Sequence, residues 1–558
     1  MEIILDSILI SIEIVFLFLY FFILGIFFRK TFLQKRTELG DIVETNILGF
    51  FFNFLFLGII NIFSPTYPFF VIILPICLAH SIQDILYFIK KIKIQNNSCL
   101  LIFLLLTALP FLFWISNLGL AELKYEPIYH IQKVRWAQEY PLIPGLANLS
   151  LWLGFDSSLF LQIAFFDQIQ FFTKIFRSFS GYLLTLGFLH FFAMPAYRFY
   201  KDIEPELSDI IKILFTPILI NYCFYLHPGL DTDLPTIIFG SFVSVELFRN
   251  IFEKKNNLSF LLICLCLGFS SKLSFLPTAL LTLFSLFYYY SFRFIVHKYE
   301  NRIIFICIIL GFSLQLFRNV VLTGYPLYPF KHFSISLKWK VDEIEVEKIA
   351  KDIKSYATGT TANDYNINSE DFKKRKSEWI KTRLFVQHRR IETLYPILLG
   401  LIGIAYILFR RLANLKELAA FLLPAIGQLA MWYFISPTSR FAVWAFWWVG
   451  AGLICYLVKD IFSKKYLPIF TATIVIFSFS IHVIDSLGQK KNMLVFSPVS
   501  QKSRVPNSFV TITSTKLQIN TPHNNKPCDD CSLPCSRTPK DNLTLLNGNE
   551  IESGFHLK

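Results

Sequence analysis

The length and composition of this chain exclude a soluble globular protein. Of its 558 residues, 54% are hydrophobic and only 16% are charged, whereas soluble domains carry about 25% charged residues. The net charge of +14 could indicate a nucleic-acid partner. The Lys and Arg residues, however, cluster at the ends of apolar runs, which is typical of membrane loops. We therefore expect a polytopic membrane protein that contacts lipid and binds no nucleic acid.

Apolar runs long enough to cross a bilayer, which takes about 20 residues per helix, recur along the chain. They predict an all-α membrane protein with about fourteen transmembrane helices. In chain order the predicted spans cover residues 7–28, 47–63, 68–85, 100–118, 178–197, 210–226, 234–248, 258–269, 275–290, 303–317, 394–409, 419–434, 441–458 and 467–484. The pair at 258–269 and 275–290 is short in both halves and is interrupted by Ser270, Ser271 and Lys272.

Basic residues indicate the side of the membrane on which each loop lies. Short loops such as 29–36 and 459–465 are rich in Lys and Arg, and the positive-inside rule places them in the cytoplasm. Alternation then puts both termini outside, together with two long polar loops at 119–156 and 324–392. We expect a protein of the bacterial inner membrane whose chemistry takes place on the periplasmic side.

The predicted spans divide the chain into three parts. Residues 1–98 form an N-terminal three-helix extension, residues 99–485 a transmembrane core, and residues 486–558 an outer tail. The tail contains Cys528, Cys531 and Cys535, which could bind zinc together with His523. In an oxidising compartment a disulfide that leaves one thiol over is favoured, so no metal site is assigned.

Two outer loops supply candidate acids. Glu122 and Glu126 precede His130 in the first loop, and their spacing of four would place both acids on one face of a helix. A solvated loop with interfacial aromatic residues is the alternative. Asp231 and Asp233 lie in the second loop. Asp233 fits a helix cap ahead of Leu-Pro, which leaves Asp231 the freer carboxylate.

Three cations are predicted to lie at the outer mouth of the helical bundle. Lys272 interrupts a pair of apolar runs, Arg318 ends the span at 303–317, and Arg440 precedes the span at 441–458. A Lys at membrane depth usually pairs with an acid or an anionic ligand. The alternatives are a snorkelling Lys and ordinary interfacial Arg residues.

These elements, taken in order, resemble one group of proteins. The pattern consists of Tyr-His at 129–130, Trp-Ala-x-Glu-Tyr-Pro-x-x-Pro-Gly-Leu at 136–146, Asp-Leu-Pro at 233–235, Ser-Lys-Leu-Ser-x-Leu-Pro at 271–277, a segment running from Arg-Asn to Thr-Gly-Tyr-Pro-Leu-Tyr-Pro at 318–329, and Ser-Pro-x-x-Arg-Phe at 436–441. It resembles multi-pass bacterial membrane proteins related to the GT-C glycosyltransferases, which use polyprenyl-phosphate sugars.

The resemblance implies a GT-C-like bundle with outer-face loops and an inverting sugar transfer to a glycan, lipid or protein acceptor. An acid in the first outer loop would deprotonate the acceptor. Similar proteins carry Tyr-Asp a few residues before Tyr-His, and here the nearest acids are Glu126 and Glu122. Glu126 is therefore the expected base, with Asp231 as its rival.

His130, Asp233, Lys272, Arg318 and Arg440 are the expected binding residues. The only small molecule implied is the lipid-linked sugar donor, which is a substrate and not a cofactor. Two other functions stay open: a transporter or flippase of lipid-linked glycans, and an inactive scaffold in envelope assembly.

Overall fold

The structure is a computed structural model of the chain. It describes residues 2–38, 41–66, 70–94, 126–169, 175–201, 203–225, 232–255, 257–290, 299–358, 391–410, 414–461, 466, 469–477, 480, 507–548 and 550–558. Most of these residues are helical. The α-helices are α1 (Glu2–Phe28), α2 (Ile42–Phe63), α3 (Phe70–Ile94), α4 (Glu126–Glu139), α5 (Leu146–Leu149), α6 (Ser158–Asp167), α7 (Ile175–Phe188), α8 (Met194–Tyr200), α9 (Leu207–Tyr225), α10 (Asp233–Ile251), α11 (Leu258–Ser271), α12 (Leu276–Tyr289), α13 (Tyr299–Thr323), α14 (Glu343–Thr358), α15 (Leu394–Arg410), α16 (Leu415–Ile435) and α17 (Val443–Ile461).

Eight helical segments of the described chain are long and apolar enough to cross a membrane. They are Ile8–Leu33, Ile42–Phe63, Ile73–Lys90, Ile175–Phe199, Asp233–Ile251, Tyr299–Thr323, Leu415–Ile435 and Val443–Ile461. Shorter apolar helices add Leu258–Ser271, Leu273–Tyr289 and Leu394–Arg410. The protein is therefore a helical, multi-pass membrane protein. The span predicted at 100–118 lies outside the described residues, as does part of the span predicted at 467–484.

Close helix crossings hold the N-terminal helices together. A Cβ atom at Gly25 of α1 would lie 1.8 Å from the carbonyl oxygen of Thr45, and one at Gly49 of α2 would lie 1.8 Å from that of Phe21. Small residues at such crossings let two membrane helices approach closely and pack through van der Waals contacts. Large apolar side chains of α13, such as Ile306 and Ile309, remain exposed, as expected of a surface that faces lipid.

The first of the predicted outer loops is not a solvated loop in the part that the structure describes. Residues 126–139 form helix α4, which packs against α6. Residues 158–166 of α6 are all buried, although no predicted span covers them. A helix of 10 residues is about 15 Å long, too short for a hydrocarbon core of about 30 Å. Helix α6 is therefore a buried support for α4.

The C-terminal tail contradicts the all-α prediction. Strands β1 (Ser508–Ile512) and β2 (Gln518–Pro522) form one antiparallel pair, and β3 (Leu543–Leu545) and β4 (Phe555–Leu557) form another. Cys528 and Cys535 form a disulfide, as the favoured interpretation predicted, and Cys531 lies outside it. Among the described residues no group of three or more His, Cys, Asp or Glu residues could hold a metal ion.

The tail docks on the loop that contains α4. The Gln132 amide donates to the carbonyl oxygen of Asp529 at 2.8 Å, and Arg135 donates to that of Asp530 at 2.8 Å. The backbone N–H of Phe555 donates to the Pro144 carbonyl oxygen at 2.9 Å. Gly145, at φ +66°, allows this approach, because a Cβ atom there would lie 2.1 Å from the Phe555 oxygen. The tail and α4 therefore lie at the same end of the bundle.

The predicted sidedness can be tested by cysteine labelling. Lys338 is an exposed residue of the loop that follows α13, and Arg36 is an exposed residue that follows α1. We expect a membrane-impermeant maleimide to label Lys338→Cys in intact cells, and Arg36→Cys only after the cells are opened. The unaltered chain supplies the background from native thiols. The reverse pattern would overturn both the topology and the outer-face site.

Candidate functional site

Four predicted residues meet at one end of the bundle. Asp233 is the first residue of α10, Lys272 follows α11, and Arg440 lies between α16 and α17. The Lys272 ammonium forms an ion pair with Asp233 Oδ1, and Arg440 Nε lies 3.1 Å from Asp233 Oδ2. His130 of α4 is 8% exposed and lies within the field of all three charges. These residues are called the Asp233 cluster below.

The local backbone explains how Asp233 and Lys272 are presented. Ser270 and Ser271 both donate their hydroxyls to the carbonyl oxygen of Leu267, and such bonds compete with helix continuation. Helix α11 ends there, as the interrupted apolar pair predicted, and Lys272 becomes extended. The helix start predicted here is present, but Thr232 and not Asp233 occupies the cap position. Asp233 instead starts the helix, where its positive end favours a carboxylate.

His130 is neutral in this environment. Burial lowers its pKa, the Lys272 and Arg440 cations lower it further, and Asp233 opposes them only in part, so that the pKa falls to about 3. At neutral pH one ring nitrogen is therefore a donor and the other an acceptor. Nδ1 is buried and has no hydrogen-bond partner among the described residues. His130 can thus offer a hydrogen bond without adding charge.

Arg318 belongs to a second cluster that the sequence did not reveal. Its Nε donates to Asp156 Oδ2 at 2.7 Å, and its Nη1 donates to Asn61 Oδ1 at 3.1 Å. Lys133 of α4 lies 3.2 Å from Asp156 Oδ1. The side chains of Lys133, Asp156 and Arg318 are only 5%, 2% and 3% exposed. Lys133, Asp156, Arg318 and Asn61 are called the Asp156 cluster.

The electrostatics of the Asp156 cluster keep its carboxylate ionised. Burial raises the pKa of Asp156, but Arg318 and Lys133 outweigh burial and hold it at about 2. Burial lowers the pKa of Lys133, and Asp156 opposes that change. One carboxylate thus lies between two cations in an environment that is almost inaccessible to solvent. Lys133 could have been suspected, because its spacing of three from His130 puts both on one helix face.

A small cavity separates the two clusters. It encloses about 60 Å³, and its lining includes Asp156 of one cluster and Lys272 of the other. That volume holds a few water molecules. A ligand in this cavity would therefore meet one carboxylate and one cation.

Of the predicted catalytic acids, the structure describes the backbone of one. Glu126 is the first residue of α4 and precedes His130 by four residues, about one helical turn. Glu122 and Asp231 lie outside the described residues. A further buried carboxylate, Glu392, accepts a hydrogen bond from the Ser439 hydroxyl next to Arg440. Sequence reasoning did not single out Glu392, although its position between a polar loop and an apolar run could have marked it as a candidate site residue.

Comparison with known proteins identifies a family. The family described as "Domain of unknown function (DUF8201)" matches residues 7–447. No curated protein and no solved structure matches the chain. The matched segment includes both clusters and ends before the disulfide-containing tail. The chain belongs to the DUF8201 family.

Proposed function

We propose that this protein is a membrane-embedded glycosyltransferase of the GT-C type. It would take a sugar from a polyprenyl-phosphate donor at the outer face of the bacterial inner membrane and transfer it to an envelope acceptor. The observation that carries the proposal is the pair of carboxylates, Asp156 and Asp233, each held between two cations, with Asp156 of one cluster and Lys272 of the other lining the same cavity.

The Asp156 cluster favours an anionic ligand nearby. Lys133 and Arg318 share Asp156, so the three buried side chains carry a net charge of +1. Removing charge from water is costly unless the charge is balanced, and ionisable groups at membrane depth often mark substrate sites. A phosphate headgroup bound beside the cluster would supply the balancing charge.

The Asp233 cluster would supply a second, partly exposed contact to that phosphate. The Lys272 side chain is 25% exposed, and its ammonium lies 3.9 Å from the centroid of the Phe441 ring. An incoming phosphate could accept hydrogen bonds from both Lys272 and Arg440, the two cations that Asp233 holds. Bonds between cations and phosphate are shorter and stronger than neutral ones. The leaving polyprenyl phosphate would be stabilised in the same way.

The reaction would proceed by displacement at the anomeric carbon. The acceptor oxygen forms a bond to that carbon as the bond to the phosphate oxygen breaks, which inverts the configuration. The acceptor proton passes to a carboxylate, for which Glu126 is the proposed base. Neutral His130, one turn further along α4, would hydrogen-bond the reacting groups without attracting the proton.

A transporter of lipid-linked glycans is a less favoured function, because it would need charged residues deep within the spans. Glu246, an acid within a predicted span, is 0% exposed and pairs with Arg249 at 2.9 Å. That pair lies near the end of α10 that is opposite to Asp233. It therefore provides no second binding site beside the cavity along a transport path. An inactive scaffold would bind no donor, and the experiment below separates it from the enzyme.

Lys272→Met and Arg440→Gln are each expected to weaken binding of sugar-free polyprenyl phosphate by about tenfold or more, since a hydrogen bond to a charged group contributes about 1.5–3 kcal/mol. Binding would be measured on the purified chain in nanodiscs. Lys338→Met removes an exposed cation at the same end and should leave the affinity unchanged. Wild-type affinity in both site variants, or no binding by the wild type, would contradict the proposal.

A further inference from the structure

The cavity between the clusters has two kinds of wall. One kind is aromatic and is built from Tyr129, Phe155, Phe160, Phe269 and Tyr328. The other is polar and includes Asp156, Lys272 and Gln315. Ligand sites commonly combine apolar walls with a few placed polar groups. The ligand that fits must therefore present apolar faces and hydrogen-bonding groups together.

Gln315 of α13 points to a ligand independently of the ion pairs. Its side-chain oxygen is buried and has no hydrogen-bond partner among the described residues, although the residue is only 3% exposed. Its amide nitrogen makes a long bond of 3.4 Å to Asn319. Leaving a buried acceptor unsatisfied destabilises the folded chain. A hydroxyl donor in the cavity would satisfy that acceptor.

The aromatic wall is held in place by ring contacts. Tyr129 stacks on Trp152 with ring centroids 5.9 Å apart, and Phe155 lies 5.2 Å from Tyr328. The Tyr328 hydroxyl donates to the carbonyl oxygen of Leu151 at 3.0 Å, which fixes that ring. Flat, fixed rings of this kind match the C–H faces of a sugar ring, whose hydroxyls lie around its edge.

We infer that this cavity binds the hexose ring of the donor, with the side-chain oxygen of Gln315 accepting a hydrogen bond from a sugar hydroxyl and the aromatic wall covering a face of the ring. The inference rests on the proposed function and names the part of the donor that the cavity takes. A bare phosphate would satisfy the cations but not the aromatic wall, and a lipid tail would leave Gln315 unsatisfied. Because the cavity now holds about 60 Å³, partly exposed Phe155 and Lys272 must move to admit the ring.

The test compares two ligands on the full-length chain in nanodiscs. One is sugar-free polyprenyl phosphate. The other is polyprenyl phosphate that carries glucose, galactose, mannose or N-acetylglucosamine, and the tightest of the four is used. The wild type should bind the sugar-bearing lipid more tightly. Gln315→Met should reduce this preference about tenfold, the equivalent of one hydrogen bond. Phe155→Ala, which removes part of the aromatic wall, should reduce it by a similar factor. Neither variant should change the Kd of the sugar-free lipid.

Gln162→Met is the matched control. Gln162 is also a fully buried glutamine, but it bonds to Asn53 and to the carbonyl oxygen of Phe50 away from the cavity. Whatever its stability, this variant must keep the sugar preference of the wild type. Equal binding of both lipids by the wild type, or an unchanged preference in both cavity variants, would overturn the sugar site while the proposed function stands. Failure of the wild type to bind either lipid would overturn both.

Discussion

Replacing Glu126 with Gln should lower sugar transfer by about 10²–10⁴-fold, the usual cost of removing a general base. The residue begins α4, and the positive end of a helix favours an ionised carboxylate. Gln keeps nearly the same shape but cannot take a proton. Expression and binding of the lipid donor should therefore remain as in the wild type. Transfer would be measured by mass analysis of envelope glycans in cells that produce each variant.

Glu139→Gln is the control for this experiment. Glu139 ends the same helix, its side chain is 40% exposed, and it pairs with Arg135 at 2.8 Å, so its loss should leave transfer unchanged. Full transfer by Glu126→Gln together with its loss in Asp231→Asn would assign the base to the second outer loop. If Glu126→Gln, Asp231→Asn and Glu122→Gln all retain transfer, an acid–base mechanism does not apply to this chain.

Much of the Asp233 cluster was predictable because membrane topology limits where polar residues can lie. Asp233, Lys272 and Arg440 stand at span ends that the distribution of Lys and Arg places on one side. Charged residues that lie at the same end of a membrane bundle find most of their ion-pair partners among one another, because the apolar spans offer few. The ion pairs of Asp233 with Lys272 and Arg440 follow from that restriction. What the pattern could not show is that one carboxylate serves both cations.

The Asp156 cluster was missed because tertiary contacts alone create it. Asp156 ends a polar loop, and nothing in its neighbourhood distinguishes it from a solvated acid. Its burial depends on α6, which is too short to register as a span, and on α4 with Lys133. The strands of the tail were missed for a related reason, since segments of three to five residues are too short for alternation to show.

The Asp156 cluster should make the largest single contribution to stability among the site residues. Asp156→Asn leaves the Lys133 and Arg318 charges buried against a neutral amide, and breaking a buried ion pair in this way costs about 3–5 kcal/mol. This loss of stability would be measured as a lower midpoint of the unfolding transition of the purified chain in detergent. Asp167→Asn is the matched control, because Asp167 ends α6 and bonds to the neutral amide of Gln138 at 2.9 Å.

The dependence of stability on pH provides a second measurement of the same contact. In the folded chain the pKa of Asp156 is about 2, below the ordinary value of 3.8. The ionised carboxylate therefore contributes its full stability above that ordinary value and loses it as the pH falls toward about 2. Asp156→Asn should lack this acid-dependent loss, whereas Asp167→Asn should retain it. A variant Asp156→Asn that is as stable as the wild type at neutral pH, with the same acid profile, would show that the buried cations do not depend on Asp156.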